Sequence, residues 1–157
     1  MSITGNTLAI LGACLAAGMS CIGSAKGTGM VGEAAAGLTS EKPEASSKCM
    51  IYQVLPGTQG LYGFATWFIV MLNLGVFGGQ MVELSLSQGW NYLVACLPMA
   101  VGGFPSAILQ GRVAVGCISI VGKKPNDATK GVIYCIIVEF YAILSLLTSL
   151  LIVLLAL

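Results

Sequence analysis

The stretch GVIYCIIVEFYAILSLLTSLLIVLLAL (Gly131–Leu157) contains 27 residues and one charged side chain, Glu139. A helix needs about 20 apolar residues to cross the hydrocarbon core of a bilayer, because each residue advances it by about 1.5 Å. The stretch meets that length. It therefore predicts a transmembrane helix, and it places a carboxyl group well inside the hydrocarbon.

The rest of the chain has the same apolar character. It is 57% hydrophobic and 8% charged, with a mean hydropathy of +0.93, whereas a soluble domain is about 25% charged. Three further apolar stretches run from about Thr7 to Val31, from Met50 to Phe77 and from Asn91 to Val121. Turn residues and charges mark the predicted connections Glu33–Lys48, Gly78–Trp90 and Gly122–Lys130. We therefore predict an all-α membrane protein with four antiparallel transmembrane helices.

The basic residues give the orientation. All seven flank the first and third connections: Lys26, Lys42, Lys48, Arg112, Lys123, Lys124 and Lys130. The positive-inside rule places these two connections in the cytoplasm, and the middle connection and both termini outside. We therefore predict a multi-pass protein of the cell membrane. The net charge of +1 and the absence of His argue against nucleic acid as a partner and against His-based chemistry.

The chain contains an internal repeat. A shift of 82 residues aligns Lys42-Pro43 with Lys124-Pro125, Lys48 with Lys130, and Ile51-Tyr52 with Ile133-Tyr134. The sequence therefore predicts two tandem helical hairpins in the same orientation, residues 1–82 and residues 83–157. In this alignment Glu139 falls opposite Gly57, so only the second hairpin carries a carboxyl group inside the membrane.

Polar side chains are expected beside Glu139, because a charge at the bilayer centre costs about 2.5–3.5 kcal/mol on insertion scales. Equal distance from a hairpin turn means equal depth, and this count places Thr58, Gln59 and Gln110 at the level of Glu139. Pro56 cannot donate a backbone hydrogen bond, so carbonyl oxygens in Tyr52–Leu55 are expected to be free as further ligands.

Oxygen ligands of this kind suit a hard cation. One carboxylate neutralises Na⁺ but leaves a site for Mg²⁺ or Ca²⁺ positively charged. The residues therefore predict a Na⁺ site. A proton needs only the carboxyl group and one acceptor, so a proton carrier is the alternative.

Four segments of the sequence resemble a known family: LPGTQGLYGF (Leu55–Phe64), LQGRVA (Leu109–Ala114), GKKPNDATKG (Gly122–Gly131) and VEFYAIL (Val138–Leu144). They are similar to the proteolipid K subunit of bacterial V-type ATPases, a duplicated relative of the c-type proteolipid of F-type ATP synthases. The resemblance implies a non-catalytic subunit with these Na⁺ ligands: the Thr58 hydroxyl, the Gln59 and Gln110 side chains, the Glu139 carboxylate and the Leu55 backbone carbonyl. It also implies that Tyr62 hydrogen-bonds Glu139.

The same resemblance implies the partners. Identical copies would form a rotor ring in membrane lipid, beside a stator membrane subunit that supplies an arginine. A central-stalk subunit would bind the cytoplasmic loops. Two other functions stay open on the residues alone. One is a small four-helix multidrug exporter with a buried Glu, and the other is a structural spacer or pore former in which Glu139 is incidental.

Overall fold

The computed structural model describes residues 4–155, and within them every regular element is helical. Five α-helices follow one another along the chain: α1 (Gly5–Glu41), α2 (Ser46–Val54), α3 (Thr58–Asn73), α4 (Leu86–Lys123) and α5 (Ala128–Leu155). Short 3₁₀ turns lie at Pro43–Ala45, Leu55–Gly57, Val76–Gly78 and Pro125–Asp127. The all-α prediction is confirmed.

The helices form four long segments, because α2 and α3 make one segment that is interrupted at Leu55–Gly57. By length and composition, α1, α4 and the segment Pro125–Leu155 are long and apolar enough to cross a membrane. Helix α2 has 9 residues and α3 has 16, so each alone is shorter than the bilayer core requires. The second predicted span therefore needs both helices.

The predicted first connection, Glu33–Lys48, is wrong at its start. Helix α1 continues to Glu41, and Lys42 leads directly into the turn Pro43–Ala45. The residues before Pro43 include no other proline, so nothing in the backbone stops the helix earlier. Proline disfavours helical conformation in the residue before it, and this ends α1 at the Lys-Pro step. The same step, Lys124-Pro125, ends α4 at Lys123.

Helices α1 and α4 form a parallel central pair, α3 packs on α1, and α5 packs on α4. Glycines bring the central pair close together. A Cβ atom at Gly12 would lie 2.7 Å from the Cα atom of Leu93, and one at Gly23 would lie 2.9 Å from the Cα atom of Phe104. In lipid, where no hydrophobic force drives helices together, such close backbone packing is a main source of association.

Three side chains of the first hairpin join it to the second at the end that contains the two Lys-Pro turns. The ammonium of Lys42 donates to the Gly122 carbonyl at 2.6 Å, and that of Lys48 donates to the Pro125 carbonyl at 3.0 Å. The Tyr52 hydroxyl donates to the Ala128 carbonyl. At this end, hydrogen bonds to backbone carbonyls at the second Lys-Pro turn therefore join the two hairpins.

Candidate ion-binding site

The break between α2 and α3 shapes one side of the site. Pro56 is buried in the 3₁₀ turn Leu55–Gly57, and α3 begins at Thr58. The Thr58 backbone N–H and its hydroxyl both donate to the Leu55 carbonyl, the hydroxyl at 3.0 Å. The Leu55 carbonyl is therefore not free, contrary to the prediction from Pro56. It is turned instead toward the threonine that follows the break.

Two glutamines and Glu139 form a continuous chain of hydrogen bonds across three helices. The Gln59 Nε2 donates to Gln110 Oε1 at 2.6 Å, and the Gln110 Nε2 donates to Glu139 Oε2 at 3.3 Å. Both glutamines are fully buried, and Glu139 is 8% exposed. The structure thus brings together α3, α4 and α5 at one point.

Tyr62 completes the surroundings of the carboxylate. Its hydroxyl donates to Glu139 Oε1 at 2.6 Å, so each carboxylate oxygen accepts one hydrogen bond. Glu139 lies eleven residues after the start of α5, which is about 17 Å along the helix axis. Within residues 4–155 the ion pair found joins Lys130 to Asp127, and no basic side chain reaches Glu139. Its charge therefore has no counter-charge in the described chain.

Two acceptor oxygens on the first hairpin, those of the Thr58 hydroxyl and the Gln59 amide, have unused lone pairs. The Thr58 hydroxyl donates to Leu55 and keeps its own lone pairs. The Gln59 Oε1 receives only a long contact of 3.4 Å from that hydroxyl. The Leu55 carbonyl already accepts two hydrogen bonds from Thr58, so it can bind a cation only when the Thr58 hydroxyl turns its proton away. These three oxygens, with the carboxylate, make a donor set suited to a hard monovalent cation.

Two polar groups of the site are missing from the sequence prediction. Gln59 Nε2 also contacts the Ser106 hydroxyl at 3.3 Å, and Gln110 Nε2 also donates to the Cys135 carbonyl at 3.1 Å. Ser106 precedes Gln110 by four residues, and Cys135 precedes Glu139 by the same number. That spacing puts each pair on one helix face, and it is the signal that would have identified both.

Comparison with known proteins places the chain in a family. The profile of the family described as the C subunit of ATP synthase matches residues 11–70 and again residues 93–152, so the second match begins 82 residues after the first. This displacement equals the shift of the internal repeat. The chain belongs to this ATP synthase family, as a duplicated, c-type proteolipid.

Three relatives show how the chain fits within the family. It is 49% identical over 150 residues to the V-type sodium ATPase subunit K of Enterococcus hirae, a match that covers 96% of this chain and 92% of that one. It is 33% identical to the A-type ATP synthase subunit K of Methanocaldococcus jannaschii, over 92% of this chain and 60% of that one. It is 32% identical to the c′ subunit of the V-type proton ATPase of Candida glabrata, over 72% of this chain and 63% of that one.

These matches confirm the family predicted from the PGTQG and LQG segments. They also confirm that the chain is a membrane subunit without catalytic activity of its own. The exporter alternative is disfavoured, since both halves of the chain match the profile of the ATP synthase proteolipid.

Proposed function

We propose that this chain is the ion-carrying rotor subunit of a V-type ATPase and that Glu139 binds the transported ion, Na⁺. Identical copies form a ring in membrane lipid, next to a stator membrane subunit that supplies an arginine. The basic turns lie in the cytoplasm and meet a central-stalk subunit, and the termini lie outside. Family membership supports the rotor role, and the clustered lysines support the orientation.

The proposal depends on one observation: Glu139 is buried and hydrogen-bonded but has no basic partner among the described residues. Hydrogen bonds from Tyr62 and Gln110 orient the carboxylate but leave its charge in place. A monovalent cation bound between Glu139 and the oxygens of Leu55, Thr58 and Gln59 would neutralise it. The occupied site is then neutral, and only a neutral site can face lipid at low cost.

The two halves of the chain have different tasks in this proposal. Residues 1–82 supply the Leu55, Thr58 and Gln59 oxygens together with Tyr62. Residues 83–157 supply Gln110 and the carboxylate. Ion release follows when the stator arginine approaches Glu139, because the guanidinium then neutralises the carboxylate in place of the cation.

Two observations favour Na⁺ over a proton. A protonated carboxyl group needs one acceptor, whereas the first hairpin offers three acceptor oxygens, those of Leu55, Thr58 and Gln59. The relative named as a sodium ATPase subunit is 49% identical, and the relative named as a proton ATPase subunit is 32% identical. The proton carrier therefore remains the second candidate.

A protection experiment tests the proposal on membranes that contain the assembled complex. A hydrophobic carbodiimide should label Glu139, and Na⁺ should prevent labelling at a pH where the same concentration of K⁺ does not. Glu139→Gln should remove the label, while Glu33→Gln, which changes an exposed carboxyl group on α1, should leave it unchanged. Labelling that responds to pH and not to Na⁺ would overturn the sodium assignment and favour protons.

A further inference from the structure

The three side chains that join the hairpins at the Lys-Pro turns are all repeated in the second hairpin. Lys42, Lys48 and Tyr52 donate to backbone carbonyls across the hairpin boundary. A shift of 82 residues turns them into Lys124, Lys130 and Tyr134, the same residue types. Three of the residues that the repeat preserves at this end therefore make contacts between hairpins.

In the second hairpin the corresponding side chains have no third hairpin whose carbonyls they could bind. Within residues 4–155, Lys124 and Tyr134 make no side-chain hydrogen bond, and Lys130 pairs with Asp127 of its own turn. Tyr52 is 1% exposed, whereas Tyr134 is 53% exposed. A tyrosine that is buried in one repeat and uncovered in the other indicates a surface that another molecule covers.

The central helices give a second, independent indication. Inside the chain Gly12, Gly23 and Gly27 of α1 lie against Leu93, Phe104 and Ala107 of α4. The repeat predicts the matching contacts between copies when 82 is added to each α1 residue and subtracted from each α4 residue. The resulting pairs are Val94–Leu11, Pro105–Ile22 and Leu109–Ala25. All six of these residues are exposed in the single chain.

In the contact with another molecule, the two helix axes must lie further apart than α1 and α4 do inside the chain. The glycines of α1 become Val94, Pro105 and Leu109 on α4, whose side chains do not fit at the internal spacing. The register of the internal contact can be retained, but the helix axes must move apart. The faces that result are apolar, as expected of a surface that packs against a second copy in lipid.

We propose that a second copy of the chain docks on the second hairpin in the register of the repeat. Its α1 face, which carries Leu11, Ile22 and Ala25, packs on α4. Three donors fix the turns: Tyr134 binds the Ser46 carbonyl, Lys124 the Ser40 carbonyl and Lys130 the Pro43 carbonyl of the neighbouring copy. This inference rests on the ring of the proposed function and identifies the surfaces from which it is built.

The charges at the turns agree with this register. Lys42 donates to the Gly122 carbonyl in the last turn of α4, and a cation at a helix C-terminus is favourable. The last turn of α1 has no basic residue of its own. Lys124 of the neighbouring copy would supply the missing cation at Ser40.

Disulfide cross-linking tests the register in membranes. In a background with Cys14→Ser and Cys21→Ser, the pair Leu11→Cys with Val94→Cys should give a ladder of covalent multimers on oxidation. Ala25→Cys with Leu109→Cys should do the same. The matched control is Leu11→Cys with Val101→Cys, since Val101 lies on the same exposed face about 10 Å further along α4, and it should give no ladder.

The variants Tyr134→Phe and Tyr52→Phe add a second measurement. Tyr134→Phe should lower at least twofold the fraction of multimer that survives heating in detergent. Tyr52→Phe, which changes the contact within one chain, should lower that fraction less. An equal loss in the two variants would overturn the role of Tyr134.

The possible failures are distinguishable. A solubilised chain that is monomeric by mass would overturn both the ring and the interface. A multimer that cross-links through Leu11 and Val101 but not through Leu11 and Val94 would overturn the register alone. Loss of Na⁺ protection with intact cross-links would overturn the ion assignment and leave the interface standing.

Discussion

The two hairpins share a plan but differ in the middle of their second segments. Each has a central helix, a Lys-Pro turn and a second segment. In the first hairpin that segment breaks at Pro56 and Gly57, whereas in the second the aligned residues, Val138 and Glu139, lie inside the continuous helix α5. The break and the carboxylate thus occupy the same place in the repeat. The residues of the proposed site therefore come from both hairpins, which hydrogen bonds join at Glu139.

Exchanging the two residues at this position should have the largest effect. The double variant Gly57→Glu with Glu139→Gly keeps one carboxyl group per chain but moves it to the first hairpin. There Thr28 takes the aligned place of Gln110, and a Cβ atom at residue 57 lies 3.5 Å from the Thr28 methyl group. We expect ATP-driven ²²Na⁺ uptake into reconstituted vesicles to fall to background. Uptake that survives the exchange would show that the repeats are interchangeable.

A smaller effect is expected when Gln110 is compared with its counterpart Thr28. Gln110→Ala leaves one Glu139 oxygen without a partner and the Gln59 amide with only the Ser106 hydroxyl, and the loss of a buried partner costs about 1–3 kcal/mol. The Na⁺ concentration for half-maximal protection should rise about tenfold or more, and further when Thr58→Ala is added. Thr28 bonds only to carbonyls of its own helix, so Thr28→Ala should leave that concentration unchanged. Equal values for the two variants would remove Gln110 from the site.

The smallest effect is expected when Ser106 is compared with Ser24, which occupies the same place in the repeat. Ser106 accepts from Gln59 Nε2, whereas Ser24 accepts from the backbone N–H of Gly60. Gln59 retains Gln110 as a partner, so Ser106→Ala should raise the Na⁺ requirement by about fivefold, the equivalent of about 1 kcal/mol. Ser24→Ala should instead lower thermal stability in detergent at an unchanged Na⁺ requirement. A shift in the Na⁺ requirement for Ser24→Ala would contradict this division of roles.

The sequence is enough to predict the number of helical segments and the depth of the polar residues in the membrane. Apolar length defines a span, and counting residues from Pro43 and Pro125 fixes height, because the rise of a helix is constant. That count places Thr58, Gln59, Gln110 and Glu139 at one level, and the structure brings all four together.

The prediction used the depth of each residue and left out the rotation of each helix about its axis. Height alone does not say which side chains on a turn face the same neighbour, so the prediction lacks Ser106 and the Cys135 carbonyl. The end of α1 is misplaced for a different reason. The charges between Glu33 and Lys48 are typical of a loop, although a helix accommodates them where it leaves the membrane.

The single carboxylate in two hairpins has a consequence for how a rotary machine would convert energy. In the proposed ring, one full revolution carries one ion for every four helical segments, where a ring with a carboxylate in each hairpin would carry one for every two. For equal ring size and equal work per revolution, half as many ions share that work. Each can then be moved against about twice the electrochemical difference, so a ring with one carboxylate per chain moves fewer ions against a steeper gradient.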